Sequence, residues 1–264
     1  PPARTMTTPA LDQLRRQLDD ARPLVRPPAD GIVAFPTGVA ALDAVLPAGG
    51  LPRGRLTELR GAPGQGRTTL LRHVVRTALC EGRWVAIVDA TRTLAAQDWA
   101  PLLAEARRTR AAAGWRPGRD DDGAVPRLAV IRPPEPARAA WCADVLLRAG
   151  AFALVILDGA PALPRAVVVR LARLAQDRQV AFLLAGDDAP GTTPPIGAAL
   201  RLAVSHEAPL PRRRRRRALV VQVTKGATPA TVRLPYALAI PRHLGRHPLP
   251  PDRKAAAKTI APRR

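Results

Sequence analysis

Residues 49–69 read G-G-L-P-R-G-R-L-T-E-L-R-G-A-P-G-Q-G-R-T-T, and this stretch decides the fold. A glycine- and proline-containing turn leads into a short strand pattern at residues 56–59, and a glycine-rich loop then opens a helical pattern. Glycines allow bare backbone N–H groups to close on phosphate oxygens, while a lysine bridges the outer phosphates and a hydroxyl binds magnesium. Residues 61–69 therefore predict a P-loop between a strand and a helix.

This P-loop departs from the standard pattern because Arg67 stands where the lysine is expected. Lysine is a compact charge on a flexible stem, whereas guanidinium is a broad plane that does not fit the same space. We expect binding to tolerate this exchange better than fast phosphoryl transfer does. A tight strand-to-helix connection that binds nothing is the simpler alternative. The candidate nucleotide-binding residues of the loop are Gly61, Gly64, Gly66, Arg67, Thr68 and Thr69.

A second element of a phosphate site is the apolar run 154–157, which ends in Asp158. A strand that ends in a carboxylate is typical of a Walker-B magnesium ligand. The pattern is common in α/β proteins, so it indicates a nucleotide site only together with the P-loop. ATP with magnesium is the cofactor that such a pair would hold, with Thr68 and Asp158 as metal ligands only if it binds.

The body of the chain alternates apolar runs with helical patterns, which favours an α/β fold with a mainly parallel sheet flanked by helices. Residues 200–205 and 219–223 predict antiparallel strands at the C-terminal end. We divide the chain into an N-terminal helix and linker (1–30, with the helix at 9–22), a core (31–240) and a basic tail (241–264). The predicted parallel strands are 56–59, 84–88, 128–131, 154–157 and 180–184.

The chain is strongly basic, with a formal net charge of +21, and almost all of its basic residues are arginine. Such a charge indicates a polyanionic partner, most simply nucleic acid. Biased coding is the alternative, although it does not explain the excess over aspartate and glutamate. Six consecutive arginines form the candidate DNA-binding segment, with phosphate contacts and no base reading; a solvated loop is the alternative. These residues are Arg212, Arg213, Arg214, Arg215, Arg216 and Arg217.

The cellular location is inferred from the cysteines and from the lack of targeting or membrane-spanning patterns in the sequence. Cys80 and Cys142 lack metal-type spacing, and we expect both to be buried thiols in a reducing compartment. We see no signal-like segment and no apolar run near the ~20 residues that span a bilayer. The expectation is a cytoplasmic protein without membrane contact.

Residues 36–55 resemble the beginning of the RecA recombinase core, with T-G-x-x-x-L-D and G-G-L-P-x-G-R motifs before the P-loop. Residues 147–163 resemble the Walker-B strand and the residues after it. The resemblance implies a RecA-like P-loop core. It also places Trp99 where the family stacks an aromatic ring on adenine, and Lys225 where a lysine reaches phosphate across a subunit boundary, which leaves homo-oligomerisation open. A core position for Trp99 and a solvated strand end for Lys225 are the alternatives.

Three departures from RecA concern hydrolysis and DNA binding. Thr91 occupies the position of the catalytic glutamate, Gly186 falls near the phosphate-sensing glutamine, and the connection after Asp158 is short.

A degenerate RecA-like core with a basic tail is similar to the ImuA family. That resemblance implies a non-catalytic accessory protein of damage-induced mutagenic translesion synthesis. Its implied partners are ImuB with an error-prone polymerase, DNA, and RecA as a further candidate. The alternatives are an active DNA-dependent ATPase or recombinase using Arg67, and a SulA-like inhibitor of cell division, which the charge and the P-loop disfavour.

Overall fold

A computed structural model describes residues 33–114, 127–187, 197–207 and 218–235 of the chain. The helices are α1 (Ala40–Asp43), α2 (Arg67–Cys80), α3 (Ala96–Ala112), α4 (Ala139–Ala149) and α5 (Arg165–Arg178). The strands are β1 (Ala34–Phe35), β2 (Leu51–Pro52), β3 (Leu56–Arg60), β4 (Val85–Asp89), β5 (Leu128–Ile131), β6 (Leu154–Asp158), β7 (Ala181–Gly186), β8 (Leu200–His206), β9 (Ala218–Lys225) and β10 (Ala230–Pro235). Two 3-10 turns lie at Pro47–Gly49 and Pro136–Arg138.

One large sheet organises the described residues, with strand order β10-β9-β8-β3-β7-β6-β4-β5. Parallel pairing runs from β5 through β4, β6, β7 and β3 to β8. On its other side β8 pairs antiparallel with β9, and β9 pairs antiparallel with β10. Strands β1 and β2 form a separate small antiparallel pair. Because β3, β6 and β7 are adjacent and parallel, the loops that follow them meet at one edge of the sheet.

The central strands β4 and β6 are buried at every position, and all their residues except the last are apolar. In β6, Leu154 and Ile156 pack into the cluster that contains α2 and α3, while Val155 and Leu157 pack into the cluster that contains α4 and α5. Successive side chains of a strand point to opposite faces, so a continuous apolar run fits a strand between two helical layers. The result is a three-layer arrangement of helices, sheet and helices.

The predicted fold class is confirmed, and the predicted strands are observed with ends that shift by one or two residues. β7 extends to Gly186, beyond the predicted 184, and β10 adds a strand to the predicted antiparallel pair. Cys80 and Cys142 are free and only partly buried, so the expectation of buried thiols is wrong in degree. The helix at 9–22, the arginine run 212–217 and the tail 241–264 lie outside the described residues, and the domain boundaries stay predictions. No described helix is long and apolar enough to cross a membrane.

Candidate functional site: a P-loop closed by arginine

The P-loop joins β3 to α2 in the way that the sequence predicts. Gly61 follows β3 and donates its backbone N–H to the Gly186 carbonyl at 3.3 Å, which links the loop to β7. Gly64 and Gly66 adopt φ angles of +77° and +90°, in the left-handed region that residues other than glycine rarely adopt. Helix α2 starts directly after Gly66, so its N-terminus faces the loop. A glycine-rich turn that ends at a helix N-terminus is the arrangement that binds anions in P-loops.

The Arg67 side chain points into the end of the sheet and is 17% exposed. Its Nη1 group donates to the Gly61 carbonyl at 3.0 Å and to the Asp187 carboxylate. Its Nε lies 3.4 Å from Oδ1 of Asp158, close enough for an ion pair, although neither atom has an aligned hydrogen-bond partner among the described residues. The guanidinium therefore joins the starts of three loops, those after β3, β6 and β7.

Asp158 ends β6 and is almost completely buried, with 3% of its side chain exposed. Burial raises the pKa of this carboxyl above its ordinary value, the Arg67 guanidinium opposes that shift, and the carboxylates of Asp89 and Asp187 add to it. Desolvation disfavours the charged form of an acid, whereas a nearby cation favours it. Arg67 is thus the described cation that supports an ionised Asp158.

The arrangement does not fit magnesium with ATP as the side chains stand. A magnesium ion needs an available carboxylate together with the loop hydroxyl, and the outer phosphates need a cation aimed toward them. Thr68 is exposed at the start of α2, but the charge of Asp158 faces Arg67, and the guanidinium faces two carboxylates and a carbonyl. A nucleotide complex would require Arg67 to leave these partners.

Strand β4, which lies next to β6, ends in Asp89, and the carboxylate of Asp89 accepts hydrogen bonds from the turn that follows the strand. Asp89 is fully buried and accepts hydrogen bonds from the backbone N–H groups of Thr93 and Leu94 at 3.0 and 3.1 Å. It also accepts from Nε of Arg132 at 3.1 Å. Thr91 is exposed and lies beside Gly159, and its hydroxyl is 3.1 Å from that of Thr93. Thr91, at the position that the resemblance to RecA assigns to a water-activating glutamate, therefore offers a hydroxyl and no carboxylate.

The end of β7 contains a residue that the sequence reasoning missed. Gly186 has open space where a Cβ would stand. It offers no side chain near the position where the resemblance to RecA places a phosphate-sensing glutamine. Asp187 follows directly and binds Arg67. A carboxylate directly after a parallel strand is the signal that could have indicated Asp187. The sequence pattern predicts that this strand ends at residue 184, which places Asp187 three residues beyond the strand.

Trp99 and Lys225 have different environments from each other. Trp99 packs into the core from α3 and is 3% exposed, with the Arg72 guanidinium 6.0 Å from its ring centre. Its ring is not presented to a nucleotide in this conformation, and adenine stacking would require its cover to move. Lys225 is exposed at the end of β9, where it pairs in register with Arg201. It is accessible to a ligand or a neighbouring molecule.

Strands β8 and β9 contact the P-loop through His206 and Leu219. The side-chain oxygen of Gln65 accepts a hydrogen bond from the His206 backbone N–H at 2.8 Å. A Cβ added to Gly66 would stand 2.2 Å from Cδ1 of Leu219. Glu207 donates its backbone N–H to the Ala218 carbonyl at 3.0 Å, so the chain leaves β8 and returns to β9 beside the loop. The arginines at 212–217 lie in sequence between these two anchors.

Comparison with known proteins identifies the architecture. The solved structure of the RadB recombinase superposes with a TM-score of 0.52 at 20% identity, covering 75% of this chain and 95% of that one. The protein has a RecA-like fold. Residues 17–104 match the RecA N-terminal domain. RecA of Frankia casuarinae is 36% identical over 151 residues, and RecA of Streptomyces avermitilis is 36% identical over 162 residues.

The similarity to RecA is confined to part of each protein. The two alignments cover 57% and 60% of this chain and 36% and 38% of the respective RecA proteins. RecA of Mycolicibacterium gilvum gives the same picture, with 37% identity over 54% of this chain and 35% of that protein. The chain thus spans a little over a third of the curated relatives that it matches. Its RecA-like region contains the P-loop and carries Arg67 at the lysine position.

Proposed function

We propose that this RecA-like protein is a non-catalytic accessory protein of damage-induced mutagenic translesion synthesis. It binds partner proteins and DNA in place of turning over ATP. One observation carries the proposal: the Arg67 guanidinium is engaged by Asp158, Asp187 and the Gly61 carbonyl, in the part of the fold where a working site would engage phosphate and magnesium. Thr91 supports it, because the site lacks a carboxylate at the water-activating position.

The proposed protein partner is ImuB, the inactive Y-family polymerase that works with an error-prone replicative-type polymerase. RecA is a second candidate partner. An adaptor with a closed P-loop needs no nucleotide to adopt its binding conformation, since Arg67 already joins the loops that a nucleotide would otherwise organise. Association with ImuB is therefore expected to be independent of ATP.

The proposed DNA contact is made by the arginine run 212–217. Support comes from its anchors, since Glu207 and Ala218 lie beside the P-loop at the edge where the parallel strands end. Arginines bind phosphate bidentately and without reading bases, which suits a tether to DNA of any sequence. The overall charge of +21 adds long-range attraction.

The test is complex formation between the purified full chain and purified ImuB, with and without magnesium ATP. We expect the same dissociation constant in both conditions, and an Asp158→Ala variant that still folds should bind equally well. A complex that forms only with ATP, or no complex at all, would contradict the adaptor role.

An ATP-driven enzyme is the second candidate. One observation favours it: Ala62, Pro63, Gly64 and Thr68 are exposed, so the outer surface of the loop is open to a ligand. In this alternative Arg67 would swing toward the phosphates when a nucleotide arrives. Turnover that depends on both DNA and Asp158 would distinguish this enzyme from the adaptor.

A further inference from the structure

The large apolar side chains that the described residues leave exposed are concentrated in one stretch of the chain. They are Val130 in β5 and Trp141 and Val145 in α4. β5 is the last strand of the sheet, at the end opposite β10, and α4 follows it in sequence. Exposed apolar clusters in a soluble domain mark interaction sites more often than isolated apolar residues do.

Trp141 and Val145 form an outward-facing pair on α4. They are four residues apart, which places them on the same side of a helix. The opposite side of α4, with Ala139, Ala143 and Leu147, is fully buried against the sheet. Trp141 is 64% exposed and therefore contributes little to the core. Tryptophan is one of the three residue types enriched among the residues that contribute most to protein binding.

Exposed arginines lie on α4 and α5 and at the residue before α4. Six arginines are exposed between residues 138 and 178, the range that contains α4 and α5. The acidic residues of these two helices are Asp144 and Asp177. Asp144 of α4 is nearly buried and accepts from Nε of Arg148 at 2.9 Å and from Nε of Arg170 at 2.8 Å. Arg138 also lies 4.0 Å from the exposed Glu135 carboxylate. The two helices still carry more arginines than acids, and this positive charge is complementary to an acidic ligand. The six arginines are Arg138, Arg148, Arg165, Arg170, Arg173 and Arg178.

We propose that the Trp141 surface, defined as the outer face of α4 and α5 around Trp141, Val145 and Arg173, docks an acidic polypeptide segment of another protein. The segment places an apolar side chain on Trp141 and its carboxylates near the arginines. A second copy of this chain is disfavoured because it carries the same net charge of +21. Nucleic acid is disfavoured because Trp141 is the one exposed aromatic residue of the described part of α4 and α5, whereas strand binding uses several stacked rings.

This surface lies apart from the P-loop and the arginine run. α4 packs against β4 and β6 on one face, whereas the anchors of the run are in β8 and β9, on the other side of β3 and β7 in the strand order. A protein docked at Trp141 and DNA held by the run could therefore bind together. The inference rests on the proposed adaptor role only for the identity of that protein.

The probe is a phage-displayed library of random dodecapeptides, selected on the full chain and followed by synthesis of the enriched peptides. We expect acidic peptides with at least one apolar residue. Trp141→Ala should weaken their binding at least about tenfold, as loss of a central tryptophan does. Arg173→Glu should weaken it several-fold, whereas Arg108→Glu on α3, in the opposite helical layer, makes the same change in net charge and should have little effect. Unfolding curves check that each variant is folded.

Several outcomes would overturn the proposal. One is a selection that yields no peptide sensitive to Trp141→Ala. A second is binding of a twenty-residue thymidine oligonucleotide that is lost in Trp141→Ala, which would make the surface a nucleic-acid site. A third is self-association of the wild type that the same variant abolishes. If ImuB binds wild type and Trp141→Ala equally, it docks elsewhere and the adaptor role stands; if ImuB does not bind but acidic peptides do, the surface stands and the partner is another protein.

Discussion

Replacing Arg67 by methionine removes the guanidinium that joins the strand ends and keeps an unbranched apolar stem. The variant leaves Asp158 buried without its cation, and Asp187 turns to solvent. We expect the folded state to lose stability, because a buried carboxylate without a partner has a desolvation cost that nothing offsets. The Gly61 carbonyl also loses its hydrogen bond from Arg67.

The size of this loss follows from the geometry. Removing one partner of a buried ion pair costs about 3–5 kcal/mol when the pair is well hydrogen-bonded. Here Nε and Oδ1 are 3.4 Å apart without an aligned hydrogen bond, and the contact with Asp187 is half exposed and contributes little. We therefore expect a loss of about 2 kcal/mol in the free energy of unfolding at pH 7, below the range for a well hydrogen-bonded pair because of these two discounts.

The loss should depend on pH with a definite sign. Burial already raises the pKa of Asp158, and removing Arg67 takes away the cation that opposes this shift, so the pKa rises further. An acid whose pKa is raised by folding contributes its full stabilisation when the pH is below its ordinary pKa of about 4, where it is protonated. That stabilisation is lost as the pH rises through the pKa that the acid has in the folded state. The deficit of Arg67→Met relative to wild type should thus shrink as the pH falls from 7 toward 4.

The assay is urea unfolding followed by circular dichroism, as a double-mutant cycle with Asp158→Asn. Asparagine keeps the shape of the side chain without its charge, so the second substitution should restore much of the stability of Arg67→Met. We expect a coupling energy of about 1–2 kcal/mol. Arg108→Met, an exposed arginine on α3, is the control and should change stability by less than about 0.5 kcal/mol. A coupling energy near zero would refute the idea that Arg67 neutralises Asp158.

Three further predictions concern the loop and the arginine run. Gly66→Ala should destabilise the fold by about 1–3 kcal/mol more than Gly64→Ala, measured by urea unfolding, because both have positive φ but only a Cβ at 66 meets Leu219; equal losses would show that β9 does not press on the loop. Replacing 212–217 by serine should weaken DNA binding for all sequences and reduce the slope of log K against log salt by about 4 for a single strand if all six arginines contact phosphate; an unchanged slope in a fluorescence titration would make the run a passive loop. Arg67→Lys should raise the affinity for a fluorescent ATP analogue if the lysine alone is missing, and no gain would mean that the pocket itself has closed.

The fold could be predicted because its strands are continuous apolar runs bounded by turn residues. β6 reads as a buried strand from its five residues alone, and the P-loop glycines place the strand and the helix on either side of it. Strand ends were less certain, since Ala185 and Gly186 continue β7 through backbone pairing with β3 and β6 without an apolar pattern of their own. That difference removed Asp187 from the predicted site.

The candidate site could be predicted in position but not in its internal contacts. Sequence spacing brought the P-loop and Asp158 together, and it indicated that Arg67 would perturb phosphate binding. The direction of the guanidinium depends on tertiary packing, since Asp187 and Asp158 come from strands far away in sequence. The burial of Trp99 likewise depends on how α3 packs against α2, which a single aromatic residue in the sequence does not specify.

The proposed adaptor role requires that the P-loop site does not turn over ATP, and steady-state ATP hydrolysis tests this requirement most directly. Phosphate release is measured for wild type and for Asp158→Ala, with and without single-stranded DNA. We expect wild type to release phosphate no faster than Asp158→Ala under either condition. DNA-stimulated turnover by wild type that disappears in Asp158→Ala would contradict it.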